Sequence, residues 1–113
     1  MAEGRLTTDA DRLLRELRVE FRAMAEQRLD EMDALLARLA AGPADDALRS
    51  LRRNAHGLAG SGGSVGLPEV TRLARVLEGE CRVRIESGQA PLEGELASWT
   101  AVLGGLRAAL TGD

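Results

Sequence analysis

The chain has 113 residues, of which 44% are hydrophobic and 29% charged, and its formal net charge is −3. We expect one globular domain over residues 1–113. Every basic residue is arginine and the only aromatics are Phe21 and Trp99, so the sequence lacks the basic stripe and stacking aromatics that nucleic-acid binding needs. One cysteine excludes an internal disulfide, and no apolar run approaches the roughly 20 residues of a membrane span. We therefore expect a cytoplasmic protein without nucleic-acid or membrane partners.

The first predicted helix begins near Thr8 or Asp9, either of which can cap it, after a frayed tail at residues 1–7. Leucine, methionine and phenylalanine then recur at intervals of three and four as far as Leu39, with no glycine or proline between. That spacing is typical of an amphipathic helix. It fits either one long helix or a short helix leading into a long one, and Gly42-Pro43 ends the pattern.

The second predicted helix starts near residues 43–45, because proline and aspartate both suit a first helical turn. Its apolar positions recur at helical spacing: Leu48, Leu51, Ala55, Leu58, Gly62 and Val65. We expect the helix to run to about Ser64, with Gly66 as its terminator.

Two more helices are predicted in the remaining sequence. The third opens at Pro68 and ends at Ser87-Gly88, and its inner face is Val70, Leu73, Ala74, Leu77, Cys81 and Ile85. The fourth runs from about residue 92 to residue 110, with a stripe at Leu96, Trp99, Val102 or Leu103, Leu106 and Leu110. Because the connections are short, the sequence predicts an all-α fold, an antiparallel up-down-up-down four-helix bundle.

The only histidine lies on the second predicted helix. His56 is two positions before Leu58, so its side chain points about 160° away from the apolar row. The imidazole should therefore face solvent. Arg52 and Arg53 lie one turn earlier, so positive charge precedes a nucleophilic ring on an exposed helix face.

Small residues follow the histidine on the same predicted outer face, namely Ala59, Gly60 and Gly63. Each glycine in a helix interior costs roughly 1 kcal/mol relative to alanine, so something must compensate. Gly62 continues the buried row and is interpreted as helix packing. Gly60 and Gly63 lie near the histidine face, and we interpret them as clearance for an approaching protein.

Other kinds of site fit the sequence poorly. The glycine-rich segment 60–66 superficially resembles a phosphate-binding loop, but no strand precedes it and no lysine follows. One histidine and one cysteine at unrelated positions cannot build a metal shell, and Cys81 is expected to be a small core residue. Ser61 and Ser64 lack the strand–elbow–helix context of a hydrolase nucleophile.

The segment His56-Gly57-Leu58-Ala59-Gly60-Ser61, followed by Gly66-Leu67, resembles the H-x-L-K-G-S…G-[AL] signature of histidine-containing phosphotransfer (HPt) domains. On this resemblance His56 is the phospho-accepting histidine, and Gly60, Ser61 and Gly66 are the family's glycine, small residue and helix-ending glycine. The sequence departs from the family at Ala59, where a basic residue is usual. The resemblance implies a four-helix bundle preceded by a short additional N-terminal helix, so we expect a bend near residues 19–21.

The resemblance also implies a function. His56 would accept a phosphoryl group from the aspartate of a response-regulator receiver domain and pass it to another receiver. The receiver would supply the divalent metal, so this chain would hold no metal or cofactor of its own and have no autokinase activity. We expect receivers and a hybrid histidine kinase as partners, and a monomeric chain.

Arg52 and Arg53 are both candidates to offset phosphate charge in place of the basic residue missing at Ala59, because guanidinium groups make forked bonds to phosphate oxygens. Ser61 either forms a hydrogen bond near the ring or is simply small.

Two alternative functions belong to other classes. One is a helical bundle that docks onto a receiver or kinase while His56 stays silent, which the loss of the basic residue at Ala59 favours. The other is a small structural bundle that dimerises through its long first helix.

Overall fold

The computed structural model describes the backbone of residues 2–111 and the side chains of residues 8–111. Over that range it contains four α-helices and no strand: α1 (Ala2–Ala41), α2 (Asp45–Ser64), α3 (Pro68–Ser87) and α4 (Glu93–Thr111). The predicted all-α class is therefore confirmed for the described residues. No helix in this range is both long enough and apolar enough to cross a bilayer.

Each helix packs against two others. Helix α2 contacts α1 and α3, and α4 contacts α1 and α3. Arg38 near the end of α1 joins the start of α2, since its Nη2 donates to Oδ1 and Oδ2 of Asp46 at 3.0 and 2.9 Å. Trp99 of α4 joins the middle of α3, since its Nε1 donates to Glu80 Oε1 at 3.0 Å. The four helices therefore enclose one core.

The core is aliphatic, as the scarcity of aromatics predicts. Its largest fully buried side chains come from all four helices: Leu29, Met32, Leu51, Leu58, Val70, Leu77, Cys81, Trp99, Leu103, Leu106 and Leu110. The indole of Trp99 is 0% exposed, and its N–H is satisfied by Glu80, so burial leaves no orphaned donor.

Helix α1 is longer than the sequence indicated. Its 40 residues span about 60 Å at 1.5 Å per residue, which is about twice the length of each of the other three helices. It begins at Ala2, so the predicted tail is helical from that residue, and Met1 lies outside the described residues. The helix passes through residues 19–21 without a break, and the expected separate N-terminal helix is not observed. No glycine or proline between residues 5 and 41 interrupts its hydrogen-bond ladder.

The other helix boundaries agree with the sequence signals. Pro68 lies in the first turn of α3, and Gly88 ends that helix with φ +70°. Gly66 follows α2 with φ +74°, a left-handed conformation that favours glycine. Gly105 on α4 has a different reason, because a Cβ there would lie 3.2 Å from Leu73 Cδ1, so the glycine lets α3 and α4 pack closely.

Candidate functional site

His56 projects from α2 into solvent, and its side chain is 74% exposed. The buried side of α2 carries Leu51 and Leu58, which lie about 140° and 160° around the helix axis from the imidazole. The geometric prediction from helical spacing is therefore confirmed. A ring with this exposure is accessible to a second protein.

The ring is held by a carboxylate from the neighbouring helix. His56 Nδ1 lies 2.9 Å from Oε1 of Glu78 on α3, and the Glu78 side chain is only 17% exposed. An ionised carboxylate can only accept a hydrogen bond, so a neutral ring must carry its proton on Nδ1. Nε2 then has the free lone pair and is the nucleophilic nitrogen.

Arg52 shares the same carboxylate oxygen. Its Nη1 lies 3.5 Å from Glu78 Oε1, so Arg52, Glu78 and His56 form one group in which an arginine and an imidazole flank a single carboxylate. Arg52 is therefore committed to an internal ion pair. Arg53, the other predicted phosphate-facing residue, is exposed and forms no ion pair within the described part of the chain.

Ala59 does not lie on the outer face, and that prediction is wrong. The residue is 5% exposed and belongs to the core, and Thr71 Oγ1 donates to its carbonyl oxygen at 3.0 Å. Ala59 is about 60° around the helix axis from His56, on the side that α3 covers. Close packing of α3 against α2 buries a position that spacing on α2 alone had placed at the surface.

The glycines near His56 fall into the two groups that the sequence predicted, one buried and one exposed. Gly62 is buried, and a Cβ there would lie 3.0 Å from Val70 Cγ1, so the glycine permits contact between α2 and α3. Gly60 is exposed and a Cβ would meet nothing within 4 Å, whereas at Gly63 it would lie 3.5 Å from Thr71 Oγ1. The backbone beside the histidine is thus bare on its outer side.

Ser61 lies away from the ring. It is half-buried and about 140° around the axis of α2 from His56, towards the side where Asn54 and Gly57 approach Arg28 of α1. Of the two alternatives, small-residue packing therefore fits its position and a hydrogen bond near the ring does not.

The end of α2 is fixed by an arginine of α1. Arg18 Nε donates to the carbonyl of Val65 at 2.9 Å, and Leu67 N donates to Gly62 O at 2.9 Å. These bonds satisfy backbone groups that the glycine-rich helix end would otherwise leave free. They hold the segment that follows the histidine in one place.

Sequence reasoning missed the most informative neighbour of the histidine. Glu78 is one of several acidic residues on α3, and its spacing does not distinguish it from the others. The pairing depends on the register between α2 and α3, which a single sequence does not reveal. Asn54 was also missed: it is buried, and its Nδ2 donates to Ser50 O at 3.0 Å.

Chemistry based on cysteine or on a resident metal has little support. Cys81 is fully buried, and burial raises the pKa of its thiol from 9.0 to about 12, so it is a poor nucleophile at neutral pH. Within the described residues there is no group of three or more histidine, cysteine, aspartate or glutamate side chains placed to hold a metal ion.

A family model of the Hpt domain matches residues 16–111. Comparison with curated proteins gives no match, and neither does comparison with solved structures. The matched segment includes all of α2, α3 and α4 with most of α1, and it contains His56 and Glu78. The chain belongs to the Hpt domain family.

Proposed function

We propose that His56 is the phospho-accepting residue of a phosphorelay carrier. Hpt domains carry phosphoryl groups on histidine within phosphorelays and interact with response-regulator receivers. The observation that supports His56 most directly is its exposed ring, with Nδ1 engaged by Glu78 and Nε2 directed away from that carboxylate. It is also the only histidine in the chain.

The transfer step follows from this tautomer. Nε2 attacks the phosphorus of an aspartyl phosphate on a receiver, the Nε2–P bond forms, and the P–O bond to the aspartate breaks. The carboxylate leaves as an anion, and the Nδ1 proton stays in its hydrogen bond to Glu78. The phosphorylated ring then carries a positive charge, which the adjacent carboxylate of Glu78 stabilises. The reverse step passes the group to a second receiver.

The receiver would supply the aspartate and the divalent metal, because phosphoryl transfer needs cations around a loose transition state. This chain would contribute the nucleophile and a docking surface, with no cofactor. It would have no autokinase activity, since the sequence lacks a phosphate-binding loop with its lysine.

The proposed docking surface is centred on His56. Gly60 and Gly63 leave space for a partner's backbone, and Arg53 offers a guanidinium that has no partner within the described residues. Arg52 acts chiefly through Glu78. The side chain of Ala59 is buried, so it drops out of the proposed contact surface.

We further infer an antiparallel up-down-up-down bundle that works as a monomer in the cytoplasm, with a hybrid histidine kinase among its partners. The cross-helix contacts support the antiparallel arrangement: Arg38 pairs with Asp46 near the α1–α2 connection, and Arg18 reaches Val65 at the far end of α2.

The proposal is tested by incubating the protein with a phosphorylated receiver domain and measuring acid-labile, base-stable phosphate on it. The wild-type chain should be labelled and His56→Gln should not. Label on His56→Gln would contradict the assignment. Light scattering on the same samples tests the monomer.

A second candidate function is that of a silent module, which docks onto a receiver without accepting phosphate. It is favoured by the alanine at position 59, where the family usually has a basic residue. Receiver binding by the wild-type chain with no phosphate on His56 would support it over the carrier.

A further inference from the structure

The exposed arginines of this protein differ in whether they have an internal partner. Four of them are neutralised by a carboxylate of the same chain, in the pairs Arg12–Asp9, Arg38–Asp46, Arg49–Asp45 and Arg72–Glu69. Four make no hydrogen bond or ion pair within the described residues, namely Arg15, Arg53, Arg75 and Arg82. Three of these four lie within about one helical turn of His56 or Glu78.

Of these four arginines, Arg75 is the one that lines a surface depression. On α3 it lies between Thr71, which contacts α2 through Ala59, and Glu78, which contacts His56. It is about 40° around the axis from Thr71 and 60° from Glu78, so it stands at the outer edge of the contact between α2 and α3.

A surface depression of about 470 Å³ lies next to this arginine. It is lined by Gly63, Gly66, Leu67, Pro68, Thr71, Arg72 and Arg75. Leu67 and Pro68 give it apolar walls, and Gly63 leaves its side towards α2 open. We name it the Gly63 pocket.

The charge of the Gly63 pocket comes from one residue. Arg72 is bound to the carboxylate of Glu69. The hydrogen bond from Arg72 holds the pKa of Glu69 below its ordinary value. Arg75 has no such partner among the described residues. Among the described residues, the pocket therefore combines an apolar surface with one uncompensated cation, on the same side of the bundle as His56.

We propose that the Gly63 pocket is a recognition site for the receiver domain, and that it takes an apolar side chain lying next to a carboxylate. The apolar group contacts Leu67 and Pro68, and Arg75 binds the carboxylate. This inference rests on the proposed function. It assigns part of the positive charge missing at Ala59 to α3, where it serves docking and not the chemical step.

The test separates docking from chemistry by using two phosphoryl donors. The first is the phosphorylated receiver that labels His56 fastest in the assay above, and the second is phosphoramidate, a small donor that needs no docking surface. Arg75→Glu should raise the KM for the receiver about tenfold, because reversing an interfacial charge slows association. Its rate of labelling by phosphoramidate should equal that of the wild-type chain, and the KM difference should shrink at high ionic strength.

Two further variants complete the design. Arg12→Glu makes the same charge change on the early part of α1 and should leave the KM unaltered. Gly63→Leu should fill the pocket and raise the KM without loss of folding, because a Cβ there makes only ordinary contact with Thr71 Oγ1 at 3.5 Å and leucine favours a helix over glycine.

Each unfavourable result has a distinct meaning. If the KM of Arg75→Glu stays within twofold of the wild-type value, the pocket is not a recognition site. An equal fall in phosphoramidate labelling would place Arg75 in the chemistry and would also overturn the inference. If the wild-type chain accepts phosphate from neither donor, the proposed function itself fails.

Discussion

Nδ1 of His56 lies 2.9 Å from Oε1 of Glu78, a carboxylate that is 17% exposed on the adjacent helix. This contact joins the exposed face of α2 to α3 and determines which ring nitrogen faces solvent. It makes Glu78 a positioning residue for the proposed phospho-acceptor.

Replacing Glu78 with glutamine should slow phosphoryl transfer without unfolding the bundle. The amide keeps the shape of the side chain, but its NH₂ group can donate to Nδ1, and that arrangement puts the ring proton on Nε2. We expect a rate about tenfold lower, below the roughly 10²–10⁴-fold effect of a group that itself transfers a proton, because Glu78 only positions the ring. Receiver-dependent labelling measures the rate, and ¹⁵N NMR of the imidazole measures the tautomer.

The NMR measurement is the decisive control for Glu78. A slower rate with an unchanged tautomer ratio would mean that Glu78 acts by some route other than orienting the ring. Glu86→Gln, a matched change of an exposed glutamate in the last turn of α3, should alter neither quantity.

Arg52→Ala and Arg53→Ala should have different effects, although both residues precede His56 by one turn. Arg52 shares Oε1 of Glu78 with the ring, so its removal should change the imidazole ¹⁵N signals of the free protein. Arg53 has no such contact among the described residues, so its removal should change only the KM for the receiver. Identical behaviour of the two variants would contradict this assignment.

Gly62→Ala and Gly60→Ala should change stability in opposite directions. At Gly62 the new methyl would lie 3.0 Å from Val70 Cγ1 and 3.2 Å from Thr71 Oγ1, and overpacking of this kind costs about 1–3 kcal/mol. At Gly60 it would meet nothing within 4 Å, so alanine should stabilise the helix by up to about 1 kcal/mol. Urea unfolding followed by circular dichroism gives both free energies of unfolding. If Gly62→Ala is more stable than the wild-type chain, the prediction is wrong, because α3 then moves to accommodate the methyl group at little cost.

Alkaline pH should destabilise the fold through Cys81. Burial raises the pKa of its thiol from 9.0 to about 12, so the unfolded chain loses this proton first. The stabilisation is fully present below pH 9, and it falls by about 1.4 kcal/mol per pH unit as the pH rises towards 12. The sequence contains no lysine or tyrosine, so few other groups titrate in this window.

The check on the Cys81 prediction is the slope of unfolding free energy against pH between 9 and 12. The free energy of unfolding of Cys81→Ala should be lower at pH 9, because the substitution leaves a small cavity. It should then stay constant as the pH rises to 12. A parallel slope in the variant would assign the alkaline loss to another group.

Local signals in the sequence predicted the helices well. Pro68 begins α3 and Gly88 ends it, as expected. Proline restricts the backbone and glycine allows a left-handed conformation, and each effect depends on one residue alone. The exposure of His56 followed from the 100° advance per residue along one helix. Both are properties of a single element and need no knowledge of its neighbours.

What the sequence did not reveal depends on packing between helices. Ala59 is buried because α3 covers that side of α2, and Glu78 meets His56 because of the register between the two helices. The unbroken α1 is a different case, because the resemblance to the family suggested a bend that no residue in the segment produces.

The single tryptophan gives this protein a built-in optical reporter. Its indole on α4 is fully buried and donates to Glu80 of α3, and the backbones of α4 and α2 do not come close to each other among the described residues. Fluorescence should therefore shift to longer wavelength when the bundle opens and stay constant while phosphate is loaded onto the histidine. One emission trace thus distinguishes a folding defect from a signalling defect in every variant above.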